Sequence, residues 1–153
     1  MVVSNSLAAI VVDVSQSPFA RLRPLPLNSV RLDDAYWAPR SRINREVVLL
    51  SQYRHLEETG AIANFHRAAG RYNGEFQGLY FSDSDVYKWL EAAAWSLAQE
   101  PHTELEHLVT SVVSAIAAAQ LPDGYLNTYF MFDRRPAGGP TCLRSTRCTA
   151  RAT

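Results

Sequence analysis

The chain has 153 residues, 47% of them apolar and 20% charged, and its formal net charge is zero. That length is enough for one ordinary domain with its own core, and the balance excludes an intrinsically disordered protein. No basic block favours nucleic acid or an anionic membrane surface, and no apolar run is long enough to span a bilayer.

Residues 1–29 read as a disordered or extended leader. Leu7-Ala-Ala-Ile-Val-Val12 lacks a basic start and Asp13 interrupts it, so no signal peptide is expected and a cytoplasmic location follows. Arg21-Leu-Arg-Pro-Leu-Pro-Leu-Asn-Ser29 is punctuated by proline and extended. Val30-Arg-Leu-Asp-Asp34 alternates apolar and polar residues, which predicts a short strand. Tyr36 and Trp37 then form an aromatic plug ahead of a helix predicted from Ser41 to Glu58. Ile43, Val47, Leu50, Tyr53 and Leu56 follow its period, and Gly60 is a natural stop. Ala61 to Ala69 suits a short helix. The glycines at 70, 74 and 78 mark a loop after it.

Ser82, Asp83 and Ser84 are all N-cap types, and Asp83 and Asp85 place negative charge at the positive end of a helix dipole. Val86, Trp89, Leu90, Ala93 and Leu97 make an apolar stripe behind them, so a helix is predicted from Asp83 to Gln99, with Pro101 just beyond. Thr103-x-x-Glu106 has the form of a capping box opening a third helix. Its predicted face is Leu105, Leu108, Val109, Val112, Ile116 and Ala119. The short connection makes these two helices an antiparallel hairpin. Leu121-Pro-Asp-Gly124 is a turn, and Tyr125 to Phe132 reads as an aromatic extended segment.

Two of these stretches carry a resemblance. Asp83-Ser-Asp-Val-Tyr-Lys-Trp-Leu-Glu-Ala-Ala93, followed by Asp123-Gly-Tyr-Leu-Asn-Thr128, resembles the N-terminal part of the glycoside hydrolase family 127 catalytic domain, the β-L-arabinofuranosidase group. The similarity runs over roughly residues 30–132. It implies an all-α fold: an incomplete (α/α)-barrel of the six-hairpin toroid type, with a short N-terminal strand. It also implies a carbohydrate substrate and no nucleic-acid or membrane partner. The family's chemistry is retaining hydrolysis by a cysteine nucleophile that zinc activates, with a separate glutamate as acid/base. Those residues lie downstream of the matched region, so no catalytic residue, no metal ligand and no cofactor are assigned to this chain. A truncated glycosidase, inactive alone, is the expectation. The alternative is a small helical carbohydrate-binding or protein-interaction domain without catalysis.

Four residues are candidates for substrate binding: Gln52, Phe81, Asp83 and Asp85. Aromatic faces stack on sugar rings, and Phe76, Tyr80 and Phe81 cluster beside the helix mouth. Against this, capping alone accounts for Asp83 and Asp85, whose spacing of two keeps them off one helical face. An exposed helical glutamine accounts for Gln52. Asn64, Asp123 and Asn127 read most simply as turn residues, and His55, His66, His102 and His107 show no metal-ligand spacing.

Residues 30–133 are thus the barrel part, and 134–153 are a tail of different character, rich in arginine and poor in large apolar residues. Composition predicts disorder there. Permissible codons for Gly138 to Thr153, read one nucleotide out of frame, give Trp-Thr-Asp-Leu-Pro-Glu-Ile-His-Glu-Met-Tyr-Cys-Ala-Gly-His. Its His-Glu-x-Tyr-x-x-Gly-His pattern looks like the family's next motif, so a frameshift or a sequencing error near Arg135 is expected. Cys142 and Cys148 lie in this tail and match no family motif.

Overall fold

A computed structural model describes residues 12–132. Among these residues all regular structure is helical. After a 3₁₀ turn at Leu27–Ser29 come α1 (Trp37–Ile43), a π turn (Asn44–Val48), α2 (Leu49–Glu58), α3 (Ala61–Ala68), α4 (Asp83–Gln99), α5 (Thr103–Ala119) and α6 (Thr128–Met131). The tail and its suggested frame change lie outside the described residues.

The predicted strand at Val30–Asp34 is not formed; the segment has no regular structure and its apolar side chains Val30 and Leu32 are exposed. An alternating stretch becomes a strand only beside a partner, and no strand is present among the described residues to pair with it. Asp34 instead starts the first helix, its Oδ1 accepting from the backbone N–H groups of Tyr36 at 2.7 Å and Trp37 at 2.5 Å. The helix predicted from Ser41 therefore begins four residues earlier.

That helix is not uniform. The π turn inserts an extra residue, and inserting a residue rotates the side chains on one side of it relative to those on the other. Leu49, Leu50 and Leu56 face the core, and so does Arg45, whereas Ile43 and Val47 lie exposed although they belong to the same predicted stripe. Arg45 reaches across to the end of α4, where its NH2 group meets Glu100 Oε2 at 2.8 Å. Gly60, with φ of 75°, turns the chain from α2 into α3.

The core sits where α2, α3, α4 and α5 meet. Phe65, Val86, Ala93 and Leu105 are fully buried, with Leu49, Val112 and Ala115 almost so. Trp89 joins α4 to α2: its indole Nε1–H donates to the Leu49 carbonyl at 2.9 Å, and its ring packs 5.3 Å from Tyr53. Small residues at Ala93, Ala115 and Ala119 let the helices approach closely. On α5 the buried positions are Leu105, Val112, Ala115 and Ala119, while the predicted Leu108, Val109 and Ile116 pack against the core from its margin.

The opening of α5 departs from the capping box. His102, not Thr103, is the N-cap, and its Nδ1 accepts from the Leu105 N–H at 3.2 Å. His102 itself is extended, with φ of −148° and ψ of 103°, the backbone an N-cap takes. The predicted extended segment after Gly124 also closes into α6, because Asn127 caps it, with Oδ1 accepting from the Phe130 N–H at 3.1 Å.

Candidate functional site

The mouth of α4 is assembled from three stretches distant in sequence. Asp83 is the residue that ties them. Its side chain does not cap its own helix; Ser82 occupies that position and makes no side-chain cap bond to the helix, its Oγ accepting instead from the Leu79 N–H at 3.0 Å. Asp83 is buried, and both of its carboxylate oxygens are taken by one partner 45 residues away. Thr128 donates its backbone N–H to Oδ2 at 2.7 Å and its hydroxyl to Oδ1 at 2.5 Å. The two family-like motifs are thus joined through their own residues, the first acid of one and the last threonine of the other.

Charge-assisted hydrogen bonds of this kind are roughly twice as strong as neutral ones. They are also needed, because burial pushes the Asp83 carboxyl above its ordinary value and only the Thr128 bonds pull it back down. The neighbouring Tyr87 hydroxyl is raised as well, first by burial and then by the Asp83 charge.

Asn64 performs the corresponding task for the loop. It is fully buried, and its side chain imitates a strand partner: Nδ2 donates to the Gln77 carbonyl at 2.8 Å and Oδ1 accepts from the Gln77 N–H at 3.0 Å. Arg67 donates to the same oxygen at 3.1 Å. Residues 70–82, which have no regular structure of their own, are thereby fixed against α3. Neither Asn64 nor Thr128 stood out in the sequence as a site-building residue. Asparagine in a glycine-rich neighbourhood reads as a turn, and only its burial distinguishes it.

With the loop and α6 in place, aromatic rings gather at the mouth. Phe76 meets Tyr129 edge-on at 5.1 Å and Phe132 at 6.4 Å, and Tyr80 lies 5.1 Å from Phe81 and 6.3 Å from Tyr129. Phe81 keeps 47% of its surface exposed, so much of its side chain stays open to a flat apolar partner. Asp85 is exposed and its Oδ1 pairs with Lys88 at 3.2 Å. Gln52 is exposed on α2. The structure therefore brings Phe81 and the Asp83–Thr128 pair to one helix end, leaves Asp85 on the solvent side of the same turn, and puts Gln52 on a separate helix. A hollow of about 770 Å³ lies elsewhere, between residues 25–34 and the start of the first helix, and Arg45 and Glu100 help to line it.

Among the described residues no group of three His, Cys, Asp or Glu side chains is placed to hold a metal ion. Among the same residues, no helix is long and apolar enough to cross a membrane.

Comparison with known proteins gives a consistent picture. Residues 29–141 match the family model described as Beta-L-arabinofuranosidase, GH127 catalytic domain. A non-reducing end β-L-arabinofuranosidase of Bifidobacterium longum subsp. longum is 54% identical over 68 residues, 44% of this chain and 10% of that protein. Among solved structures, a β-L-arabinofuranosidase of the same family from Geobacillus stearothermophilus superposes with a TM-score of 0.64 at 42% identity, covering 67% of this chain and 17% of the other. A second β-arabinofuranosidase of the family gives 0.63 at 38% identity, covering 71% and 17%. The chain thus spans between a tenth and a sixth of the length of these relatives, and its helices form part of a helical toroid.

Proposed function

Given that this chain belongs to glycoside hydrolase family 127, the β-L-arabinofuranosidases, we propose that residues 30–133 are the N-terminal part of a catalytic domain whose parent reaction is retaining hydrolysis of terminal L-arabinofuranosides. The observation that carries this reading is the union of the two motifs. Asp83 and Thr128 are partners in the fold as well as members of the family-like stretches. The proposal assigns the mouth of α4 to carbohydrate. Phe81 offers a ring face for stacking and Asp85, on the same helix turn, a hydroxyl partner; Gln52, on α2, is proposed as a further hydroxyl partner in the parent pocket. Asp83 acts from beneath, by holding α6 and its aromatics in place.

On this reading the chain has no turnover of its own. A glycosidase needs two groups across the scissile bond, and on this reading both belong to the parent domain outside residues 30–133. Binding is a weaker demand. Calorimetry with L-arabinofuranosyl oligosaccharides tests it: heat of binding is expected for the parent chain, with a loss of about tenfold on Phe81→Ala, which removes the aromatic face proposed to stack on the sugar. Unchanged affinity in that variant removes Phe81 from the site.

We also propose that residues 134–153 are read out of frame. The arginine-rich, apolar-poor composition of the tail supports this, while the family match, which reaches residue 141 in the given frame, counts against a change as early as Arg135. Sequencing the gene through these codons decides it. An alternative frame encoding the His-Glu-Met-Tyr-Cys-Ala-Gly-His stretch is expected, and codons that cannot encode it overturn the proposal.

A second reading, a carbohydrate-binding domain without any hydrolase parentage, draws on the exposed face of Phe81 alone. It predicts a monodisperse, cooperatively melting chain that binds sugar. The family membership over most of the chain favours the first reading.

A further inference from the structure

The loop between α3 and α4 has little apolar surface to hold it in place. Residues 70–81 have no regular structure, and all of them are exposed except Phe76, which is half-buried. Yet this loop carries Phe76, Tyr80 and Phe81, three of the rings at the mouth of α4. Gln77, the residue after Phe76, is gripped twice. Asn64 takes both of its main-chain groups, Nδ2 donating to the carbonyl at 2.8 Å and Oδ1 accepting from the N–H at 3.0 Å. The Gln77 side chain lies against Gly60, whose carbonyl accepts from the Asn64 N–H at 3.0 Å. The Asn64 amide fits only one way round. Its Oδ1 meets two donors, the Gln77 N–H and Arg67 Nη1 at 3.1 Å. Exchanging oxygen and nitrogen would set donor against donor at both and leave the Gln77 carbonyl facing an oxygen.

One residue before this clamp, the Phe76 ring meets Tyr129 edge-on at 5.1 Å, and Tyr129 lies 6.3 Å from Tyr80, the neighbour of Phe81. Thr128, beside Tyr129, is held by Asp83. The rings thus stand between two fixed points, one on α3 and one on α4. We infer that Asn64 is a positioning residue for the sugar-binding face: acting through Gln77, it sets Phe76 against Tyr129 and so fixes the direction in which Phe81 presents its ring. The Asn64 side chain is fully buried, so it acts at one remove from any ligand. The inference rests on the functional reading above and deepens it, since it gives α3 control over a face that the reading drew from the mouth of α4.

Asn64→Asp isolates this role. It keeps the size of the side chain, the acceptor for the Gln77 N–H and a partner for Arg67, and it replaces only the donor to the Gln77 carbonyl with an oxygen that repels it. The full 153-residue chain, labelled with 4-fluorophenylalanine, is followed by fluorine NMR, the Phe76 and Phe65 signals being assigned by replacement with leucine. Phe65, next to Asn64 and fully buried, reports on the packing of α3. The variant is expected to move the Phe76 signal most of the way to its position in Tyr129→Leu while the Phe65 signal stays in place. It is also expected to weaken binding of an L-arabinofuranosyl oligosaccharide by about tenfold, with no further loss when Phe81→Ala is added, because both changes act through one ring. An unmoved Phe76 signal overturns the inference. So does joint movement of both signals, which makes Asn64 a packing residue of the core, and so do affinity losses that multiply in the double variant. A parent chain that binds no sugar, with the Phe76 signal still moving alone, counts against the functional reading and upholds the positioning of the rings. If the variant does not fold, amide exchange in the parent decides. The Gln77 N–H is expected to exchange about tenfold or more slower than those of Gly74 and Gly78, and equal rates overturn the inference.

Discussion

Asp83 is the residue on which the site depends. It is a buried acid whose two carboxylate oxygens accept from the backbone N–H and the hydroxyl of Thr128. Removing the carboxylate leaves a buried N–H without an acceptor, so Asp83→Ala is expected to destabilise the fold by about 1–3 kcal/mol. Asp83→Asn keeps one acceptor and offers a donor to the Thr128 hydroxyl, and is expected to cost less. The two variants also differ from the parent in their response to pH. Burial raises the folded-state value of this carboxyl above the ordinary 3.8. The folded chain then holds the proton more tightly than the unfolded one, so the group contributes stability that is fully present below the ordinary value. That contribution is lost as pH rises through the raised folded value. Thermal melts from acid to neutral pH should show this loss in the parent and a flatter profile in Asp83→Asn. A parent that gains stability over the same interval through this group would contradict the assignment.

At the scale of elements, the helices are placed by a few side chains that cross between them. Gly60 is one device: its positive φ makes the turn between α2 and α3, and a Cβ there would run into the Gln77 side chain. Gly60→Ala is therefore expected to cost about 1–3 kcal/mol, the range for a non-glycine residue held in the left-handed region. An unchanged denaturation midpoint would show that the loop at Gln77 can yield. The helices α3, α4 and α5 were legible because their apolar residues repeat at helical spacing and their ends carry glycine, proline or capping groups. The loop between α3 and α4 was marked by its glycines, but not its fastening to Asn64, nor the caps that open α5 and α6. Asn64 and His102 act through contacts that spacing cannot reveal, one with a residue 13 positions on and one with the first turn of α5. The π turn was also hidden. Nothing in the Ile43–Val47 pattern announces an inserted residue, and both side chains were expected inside rather than out. Val30–Asp34 misled in the opposite direction, since alternation describes a strand only when an edge is available to pair with it.

For the molecule as a whole, the motifs told more than the periodicity. Helical spacing alone supports a small helical domain, whereas the Asp83–Ala93 and Asp123–Thr128 stretches identify a family and a toroid. The described residues show what a piece of such a toroid looks like. It has a packed centre around Phe65, Val86 and Leu105, and exposed aromatics and aliphatics around it, including Trp37, Leu79 and Trp95. Surfaces of that kind seek cover. On the proposed reading Phe81, held beside the Asp83–Thr128 pair, serves sugar binding, while cleavage belongs to other parts of the parent domain.

The most direct measurement is hydrolysis of a chromogenic β-L-arabinofuranoside by the purified 153-residue chain, with zinc and a thiol reductant supplied. The account predicts release no faster than in buffer. Turnover that tracks the protein through purification and that disappears when Cys142 or Cys148 is replaced would contradict it, because the reactive machinery would then lie within this chain.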